Sequence, residues 1–194
     1  MVLGITGGMG SGKSTVTNIL YENYCIEVLD GDIISREVIA REDVLKKITE
    51  NFGENILNDS GTIDRKNLGR LVFNDKKKLT ILNQIMHKAI AFEIKERIRK
   101  NKQKTFVVDV ALPVKDGFLD VCDEIWCVMA SFETRIKRLK VRDAFDEKQI
   151  INRIDSQPSD DYYIKIADKV LRNEGSLENL RYAVVRFWED FMKG

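Results

Sequence analysis

Short runs rich in Val, Ile, Phe or Cys alternate along this chain with longer segments in which apolar residues recur every three or four positions. The runs are Met1 to Thr6, Cys25 to Leu29, Thr105 to Val110, Glu124 to Met129 and Lys169 to Arg172. Runs without polar alternation, as in the first four, are typical of strands covered on both faces of a parallel sheet, and the intervening segments are typical of helices. We therefore predict an α/β fold in which helices doubly wind a five-stranded parallel sheet.

Several helix starts are marked by residues that can bond to unpaired N–H groups of the first turn. We expect Ser131, Asp146 and Ser176 to cap helices, and Gln149 completes a capping box with Asp146. One long helix is predicted around residues 81–98, where apolar residues form one face.

One interval does not follow the alternation of strands and helices. Residues 43–104 show a helical pattern with a turn at Asn58 to Gly61 and no convincing strand. A simple crossover needs far fewer residues, so we predict an insertion that holds a phosphate acceptor; an extra helical layer without a ligand is the alternative. Within one domain of residues 1–194, residues 1–42, 105–130 and 167–194 would form the core, and residues 135–160 would form a lid.

A glycine-rich loop, residues 7–14, follows the first predicted strand and reads G-G-M-G-S-G-K-S. Its glycines permit a tight turn with N–H groups directed at an anion, and a helix from about Lys13 adds its partial positive charge. The motif predicts ATP or GTP as the ligand, with Lys13 at the β- and γ-phosphates and Ser14 on Mg²⁺. The predicted phosphate-binding residues are Gly8, Met9, Gly10, Ser11, Gly12, Lys13, Ser14 and Thr15.

Two acids lie at the end of the second predicted strand, where a doubly wound sheet faces its ligand. Of Asp30 and Asp32, one can order Mg²⁺ waters or the turn, and the other can accept the proton of an attacking hydroxyl. Either could instead cap the next helix. Arg36 lies one helical turn after Asp32 and is available to an anionic part of the acceptor.

Further candidates are an acid, a basic segment and a histidine. Asp109 closes the third strand, where it could lie near the metal or act as a cap. Arg138 and Arg142 share one helical face within a basic segment, residues 135–142, which is ordinarily a solvated face but could meet the charge of a transferred phosphoryl group. His87, the only histidine, is by spacing alone structural or solvent-exposed.

Composition narrows the partners and the compartment. Lys and Arg total 32 and Asp and Glu total 31, so we expect no net field that recruits nucleic acid or a membrane surface. No run approaches the roughly 20 apolar residues of a membrane span, and a signal peptide is not expected. Three cysteines without C-x-x-C spacing predict buried, reduced thiols and a cytoplasmic location, and we expect a monomer.

Together these pieces resemble the dephospho-CoA kinase family along nearly the whole chain. The D-x-D-x-x-x-R stretch that contains Asp30, Asp32 and Arg36 is more selective than the glycine-rich loop, which a very large superfamily shares. The other matching pieces are Gly61 to Arg65, Leu68 with Val72-Phe73, the helix around His87, Arg138 with Arg142-Asp143, and Ala167-Asp168 with Asn173 to Leu177. The chain departs from the family pattern at Gly31, at Lys88 after the histidine, and at Ala111 to Lys115.

The resemblance implies phosphorylation of the 3′-hydroxyl of the ribose of dephospho-CoA by MgATP, the last step of coenzyme A synthesis. It implies that Asp32 is the general base and that Asp30, Arg36 and His87 help to hold the acceptor. It also implies that Arg138 and Arg142 belong to the lid over the phosphates and that Asn173 lies by the adenine.

Two other functions are alternatives to this one. A nucleoside monophosphate kinase, or another small-molecule kinase of this fold, would share the loop, the insertion and the lid. The phosphate acceptor of a nucleoside monophosphate kinase is already ionised and needs no base such as Asp32. A GTPase-type switch would need a guanine-reading N-K-x-D, and residues 101–104 read N-K-Q-K.

Overall fold

The computed structural model describes residues 1–143 and 145–193. The chain divides into two compact units, one made of residues 1–30 with the chain from residue 101 onward, and one made of residues 31–100. The strands are β1 Val2–Thr6, β2 Ile26–Asp30, β3 Thr105–Asp109, β4 Glu124–Met129 and β5 Lys169–Arg172. The helices are α1 Lys13–Asn23, α2 Gly31–Val38, α3 Glu42–Phe52, α4 Arg65–Phe73, α5 Lys76–Lys100, α6 Phe132–Arg142, α7 Glu147–Asp155, α8 Asp160–Ile166 and α9 Leu177–Phe191.

The first unit is built on a parallel sheet with strand order β2-β3-β1-β4-β5. The strand ends agree with the apolar runs of the sequence to within one residue, which confirms the five predicted strands. Register places Asp109 beside Ile5 on one side and beside Asp30 on the other. The loop after β1 and the acids that end β2 and β3 therefore lie at the same edge of the sheet.

Successive side chains of β4 enter different apolar clusters because strand side chains alternate between faces. Trp126 and Val128 pack with α1 and α9, whereas Cys127 and Met129 pack with Tyr163 of α8. Helices thus cover both faces of the sheet, as the doubly wound prediction requires. This double cover explains why the strands lack polar alternation.

The second unit is helical, and α5 packs against α2, α3 and α4. The buried residues of α5 are Met86, Ala91 and Ile94, a narrower face than the predicted apolar stripe. The unit begins at Gly31 and so includes α2, which the sequence pattern grouped with the core. An isolated antiparallel bridge joins Leu57 to Ile63 around the predicted turn.

The three predicted helix caps are confirmed. Ser131, Asp146 and Ser176 each accept a hydrogen bond from a first-turn N–H group, and Gln149 completes the capping box with Asp146. Within the described part of the chain, no helix combines the length and apolarity needed to cross a membrane.

The prediction that all three cysteines are buried is wrong for one of them. Cys127 is buried and Cys122 is partly buried, and burial raises the pKa of each thiol to about 12. Cys25 is exposed because it directly precedes β2, at the edge of the sheet, and its side chain does not enter the core.

Candidate functional site

The glycine-rich loop turns between β1 and α1 and leaves a set of backbone donors unpaired. Ser11 N–H donates to the Gly8 carbonyl over 3.1 Å and closes the turn. Among the described residues, the N–H groups of Gly10, Gly12, Lys13 and Ser14 find no acceptor. Unpaired donors at the start of a helix form a site for an anion, since the helix dipole adds positive potential there. The local geometry therefore fits a phosphate group.

Gly12 is required at its position for two reasons. Its φ of 97° lies in the left-handed region, which side-chain-bearing residues rarely adopt. A Cβ atom at Gly12 would also collide with the amide nitrogen of Asn173.

The carbonyl groups of the loop are held from its other side by Asn173 and Arg138. Asn173, buried at the end of β5, donates its Nδ2 to the Ser11 carbonyl over 2.8 Å. Arg138 of α6 donates Nη1 to the same carbonyl over 3.2 Å and Nη2 to the Asn173 carbonyl over 2.9 Å. Both residues were predicted at the nucleotide, and in the structure both support the loop that would bind it. Contact of Asn173 with adenine stays a prediction.

Lys13 forms the one ion pair of the loop itself, as far as the described residues go. Its Nζ lies 2.6 Å from Asp109 Oδ1, and Thr17 Oγ1 donates to Asp109 Oδ2 over 2.7 Å. The Asp109 side chain is only 6% exposed, and these two donors offset the cost of burying its carboxylate. The contacts of Asp109 with the Lys13 and Thr17 side chains are those of an ion-pair partner and not of a helix cap.

The oxygen-bearing side chains around the loop suit a Mg²⁺ ion that is held largely by the phosphates of a nucleotide. Ser14 lies on the first turn of α1 and is exposed, and Asp109 and Asp30 are register neighbours at the strand ends. In the described ranges no group of three His, Cys, Asp or Glu side chains could hold a metal by itself. Magnesium commonly keeps waters and substrate phosphates as ligands, so a single hydroxyl with nearby carboxylates fits this ion.

Of the predicted arginine pair on α6, Arg138 and Arg142, only one contacts the glycine-rich loop. Arg138 reaches the loop, whereas Arg142 is 60% exposed and pairs with its neighbour Asp143. The residue that joins Arg138 at the loop is Arg135, which is only 5% exposed and donates Nε to the Met9 carbonyl over 2.7 Å. Sequence reasoning missed Arg135; its only signal was the i, i+3 spacing to Arg138.

The acceptor candidates of the second unit lie on α2 and α5. Asp32 is in the first turn of α2 and Arg36 is one turn later, and both side chains are exposed. His87 of α5 is half-buried, and this burial lowers the pKa of its imidazole, which favours the neutral ring at neutral pH. These positions leave the carboxylate of Asp32 accessible to a substrate.

Two motif residues of the family resemblance have structural tasks. Asp64 of the G-T-I-D-R piece caps α4 by accepting from the N–H groups of Lys66 and Asn67. Asp168 Oδ2 accepts from Ile125 N–H over 2.8 Å and so fixes the start of β5 against β4. Neither residue needs a ligand to account for its type.

The parallel sheet, the glycine-rich loop and the helix that begins at Lys13 define a P-loop kinase. The shikimate kinase of Acinetobacter baumannii shares this fold, with 15% identity and a TM-score of 0.53. The chain belongs to the dephospho-CoA kinase family, because the family model described as CoaE, dephospho-CoA kinase, matches residues 1–179.

Relatives with this name cover nearly the whole chain. The dephospho-CoA kinase of Fusobacterium nucleatum subsp. nucleatum is 38% identical over 189 residues, which cover 97% of each chain. That of Carboxydothermus hydrogenoformans is 34% identical over 201 residues, which cover 99% of this chain and 97% of the relative.

Solved structures agree with this family. TT1252 from Thermus thermophilus matches with a TM-score of 0.81 and 29% identity, over 98% of this chain and 97% of its own. A dephospho-CoA kinase from Campylobacter jejuni matches with a TM-score of 0.73 and 25% identity, over 100% of this chain and 98% of its own.

Proposed function

We propose that the protein transfers the γ-phosphoryl group of ATP to the 3′-hydroxyl of the ribose of dephospho-CoA, which yields coenzyme A and ADP. The match to the dephospho-CoA kinase family over residues 1–179 carries the choice of acceptor. The unpaired N–H groups of the glycine-rich loop, together with Lys13, support a nucleotide triphosphate as the donor. This reaction would complete coenzyme A synthesis.

In this mechanism the loop and the cations stabilise charge that moves with the phosphoryl group. Lys13 would exchange its contact with Asp109 for the β- and γ-phosphates, and Ser14, with Asp109 nearby, would hold Mg²⁺. The ion would neutralise charge on the phosphate oxygens. The predicted lid, residues 135–160, would bring Arg138 and Arg142 toward the same charge.

The acceptor hydroxyl needs a base, and Asp32 is the proposed one. A ribose hydroxyl is protonated at neutral pH, so a positioned carboxylate that accepts its proton lowers the barrier. Asp30, Arg36 and His87 would hold the acceptor; a neutral His87 can both donate and accept a hydrogen bond. A nucleoside monophosphate acceptor would leave Asp32 without this task.

Three features accompany the proposal as predictions from the sequence. These are Mg²⁺ as the metal, a cytoplasmic location and a monomeric state.

The decisive experiment offers the purified protein MgATP with dephospho-CoA, with AMP or with no acceptor. ADP formation is followed together with the mass of the product. We expect dephospho-CoA to gain one phosphate and AMP to stay unchanged. Phosphorylation of AMP instead would reassign the protein to the nucleotide kinases. If neither dephospho-CoA nor AMP were phosphorylated, the proposed acceptor would be contradicted.

A further inference from the structure

Met9, in the middle of the glycine-rich loop, is held at three points by the segment from α6 to α8. Its carbonyl accepts from Arg135 Nε over 2.7 Å, and its N–H group donates to Gln157 Oε1 over 2.7 Å. Its side chain packs on the apolar cluster formed by α6 and α7, which contains Leu139 and Ile150. Neither Arg135 nor Gln157 has a part in the mechanism above.

The contact of Arg135 with the Met9 carbonyl has a consequence for the next N–H group. A trans peptide is planar, so its carbonyl and the following N–H point in opposite directions. Fixing the Met9 carbonyl toward Arg135 therefore directs the Gly10 N–H to the opposite side of the loop. That N–H is one of the donors without an acceptor among the described residues. A cation on the carbonyl also polarises the peptide and strengthens its N–H as a donor.

The same rule applies two residues later. Asn173 and Arg138 hold the Ser11 carbonyl, which directs the Gly12 N–H away from both. Arg135 thus does at Met9 what Arg138 and Asn173 do at Ser11. The outer side of the loop is held at the two peptides that supply the Gly10 and Gly12 N–H groups.

The guanidinium of Arg135 is itself fixed. Its Nη1 lies 3.2 Å from Asp160 Oδ1 of α8, and the side chain is 6% exposed. Its Nη2 lies 2.5 Å from the position that a Cβ atom of Gly8 would take, so only glycine leaves room for it there. A buried cation with one carboxylate and one carbonyl partner is held in a single orientation.

We propose that Arg135 and Gln157 are positioning residues that grip the backbone of Met9 and thereby aim the Gly10 N–H at the nucleotide phosphates. The inference rests on the proposed binding of phosphates by this loop. It also means that the segment from α6 to α8 sets the geometry of the loop and does more than cover it.

The test measures MgADP affinity by calorimetry in the full chain without any acceptor, so it does not depend on which molecule is phosphorylated. We expect Arg135→Met to raise the dissociation constant about 10- to 100-fold, as expected for loss of a charge-assisted hydrogen bond. Arg135→Lys should recover part of the affinity because an ammonium can still donate to the Met9 carbonyl. Gln157→Leu removes the other grip and should weaken binding in the same direction.

The matched control is Lys137→Met on the exposed face of the same helix, where we expect a change within about two-fold. Thermal unfolding of each variant separates loss of affinity from loss of fold. An unchanged dissociation constant in folded Arg135→Met overturns the proposal. Should that variant not fold, an unchanged value in Gln157→Leu, whose side chain is only partly buried, overturns it instead.

Discussion

The residues at the glycine-rich loop of the sheet unit differ in burial from the acceptor candidates on α2 of the helical unit. In the sheet unit, Lys13 is bonded to a buried Asp109, and Asn173 is buried against the glycine-rich loop. In the helical unit, Asp32 and Arg36 stand on the exposed side of a short helix. Groups fixed by buried bonds are oriented before a ligand arrives, and exposed groups can adjust to one. Under the proposed function, the phosphate donor would therefore meet mostly buried, bonded groups, whereas the acceptor would meet exposed ones.

The largest expected effect comes from the exposed residue. Asp32→Asn should lower turnover about 10²- to 10⁴-fold, since the amide cannot take the hydroxyl proton, while MgADP affinity stays near that of the unchanged protein. Steady-state kinetics and calorimetry measure the two quantities. Glu37→Gln, a second exposed carboxylate on α2, is the control and should leave turnover within about two-fold. If Asp32→Asn lost turnover and ADP affinity to the same extent, Asp32 would have a structural role and would not be the exposed base proposed for the acceptor.

A second change tests the buried side of the comparison. Lys13→Ala should abolish most turnover and lower the free energy of unfolding by about 3–5 kcal/mol, because it leaves the Asp109 carboxylate buried without its cation. Adding Asp109→Asn should restore most of the stability and none of the turnover. Denaturant unfolding measures the stability of each variant, and the kinase assay measures its turnover.

The control for this change lies in the helical unit. Arg97→Met removes two pairs, one with Glu37 of α2 and one with Glu93 of α5, whose Oε1 lies 2.8 Å from Arg97 Nε; the Arg97 side chain is 32% exposed. Such partly exposed pairs contribute about 0–1 kcal/mol. If Lys13→Ala cost no more than Arg97→Met, the Lys13–Asp109 pair would be effectively solvated.

The smallest expected effect is on the pH dependence of stability. Burial lowers the pKa of His87 in the folded protein, so the unfolded chain binds more protons below about pH 6.5. Stability should therefore fall as the pH drops through this region, by at most about 1.4 kcal/mol per pH unit. His87→Gln should flatten the profile between pH 5 and 7, since no other histidine is present. If the stability of His87→Gln depended on pH as steeply as that of the unchanged protein, a group other than His87 would account for the dependence.

The sheet and the loop were predictable because their signals are local. Strands buried on both faces require continuous apolar runs, and the loop motif describes its own backbone geometry. Helix caps were predictable for the same reason, since Ser131, Asp146 and Ser176 bond within their own first turns.

The partners of the charged residues were not predictable, because they come from distant parts of the chain. Arg135 is 126 residues away from Met9 in sequence, and its position in a basic segment resembles that of a solvated residue. The bond between Lys13 and Asp109 spans 96 residues and depends on the register of β1 with β3. Candidate site residues could therefore be proposed from the sequence, whereas their contacts required the fold.

The unequal exposure of the three cysteines gives the chain a natural attachment point. Cys122 and Cys127 remain protonated at ordinary pH, since burial raises the pKa of both thiols to about 12, and a thiolate is the reactive species. Cys25 is open to solvent just before β2, the outermost strand at one end of the sheet. A fluorophore coupled through a maleimide would accordingly settle at one defined position on the sheet unit, so that ligand binding could be followed optically without first engineering a cysteine.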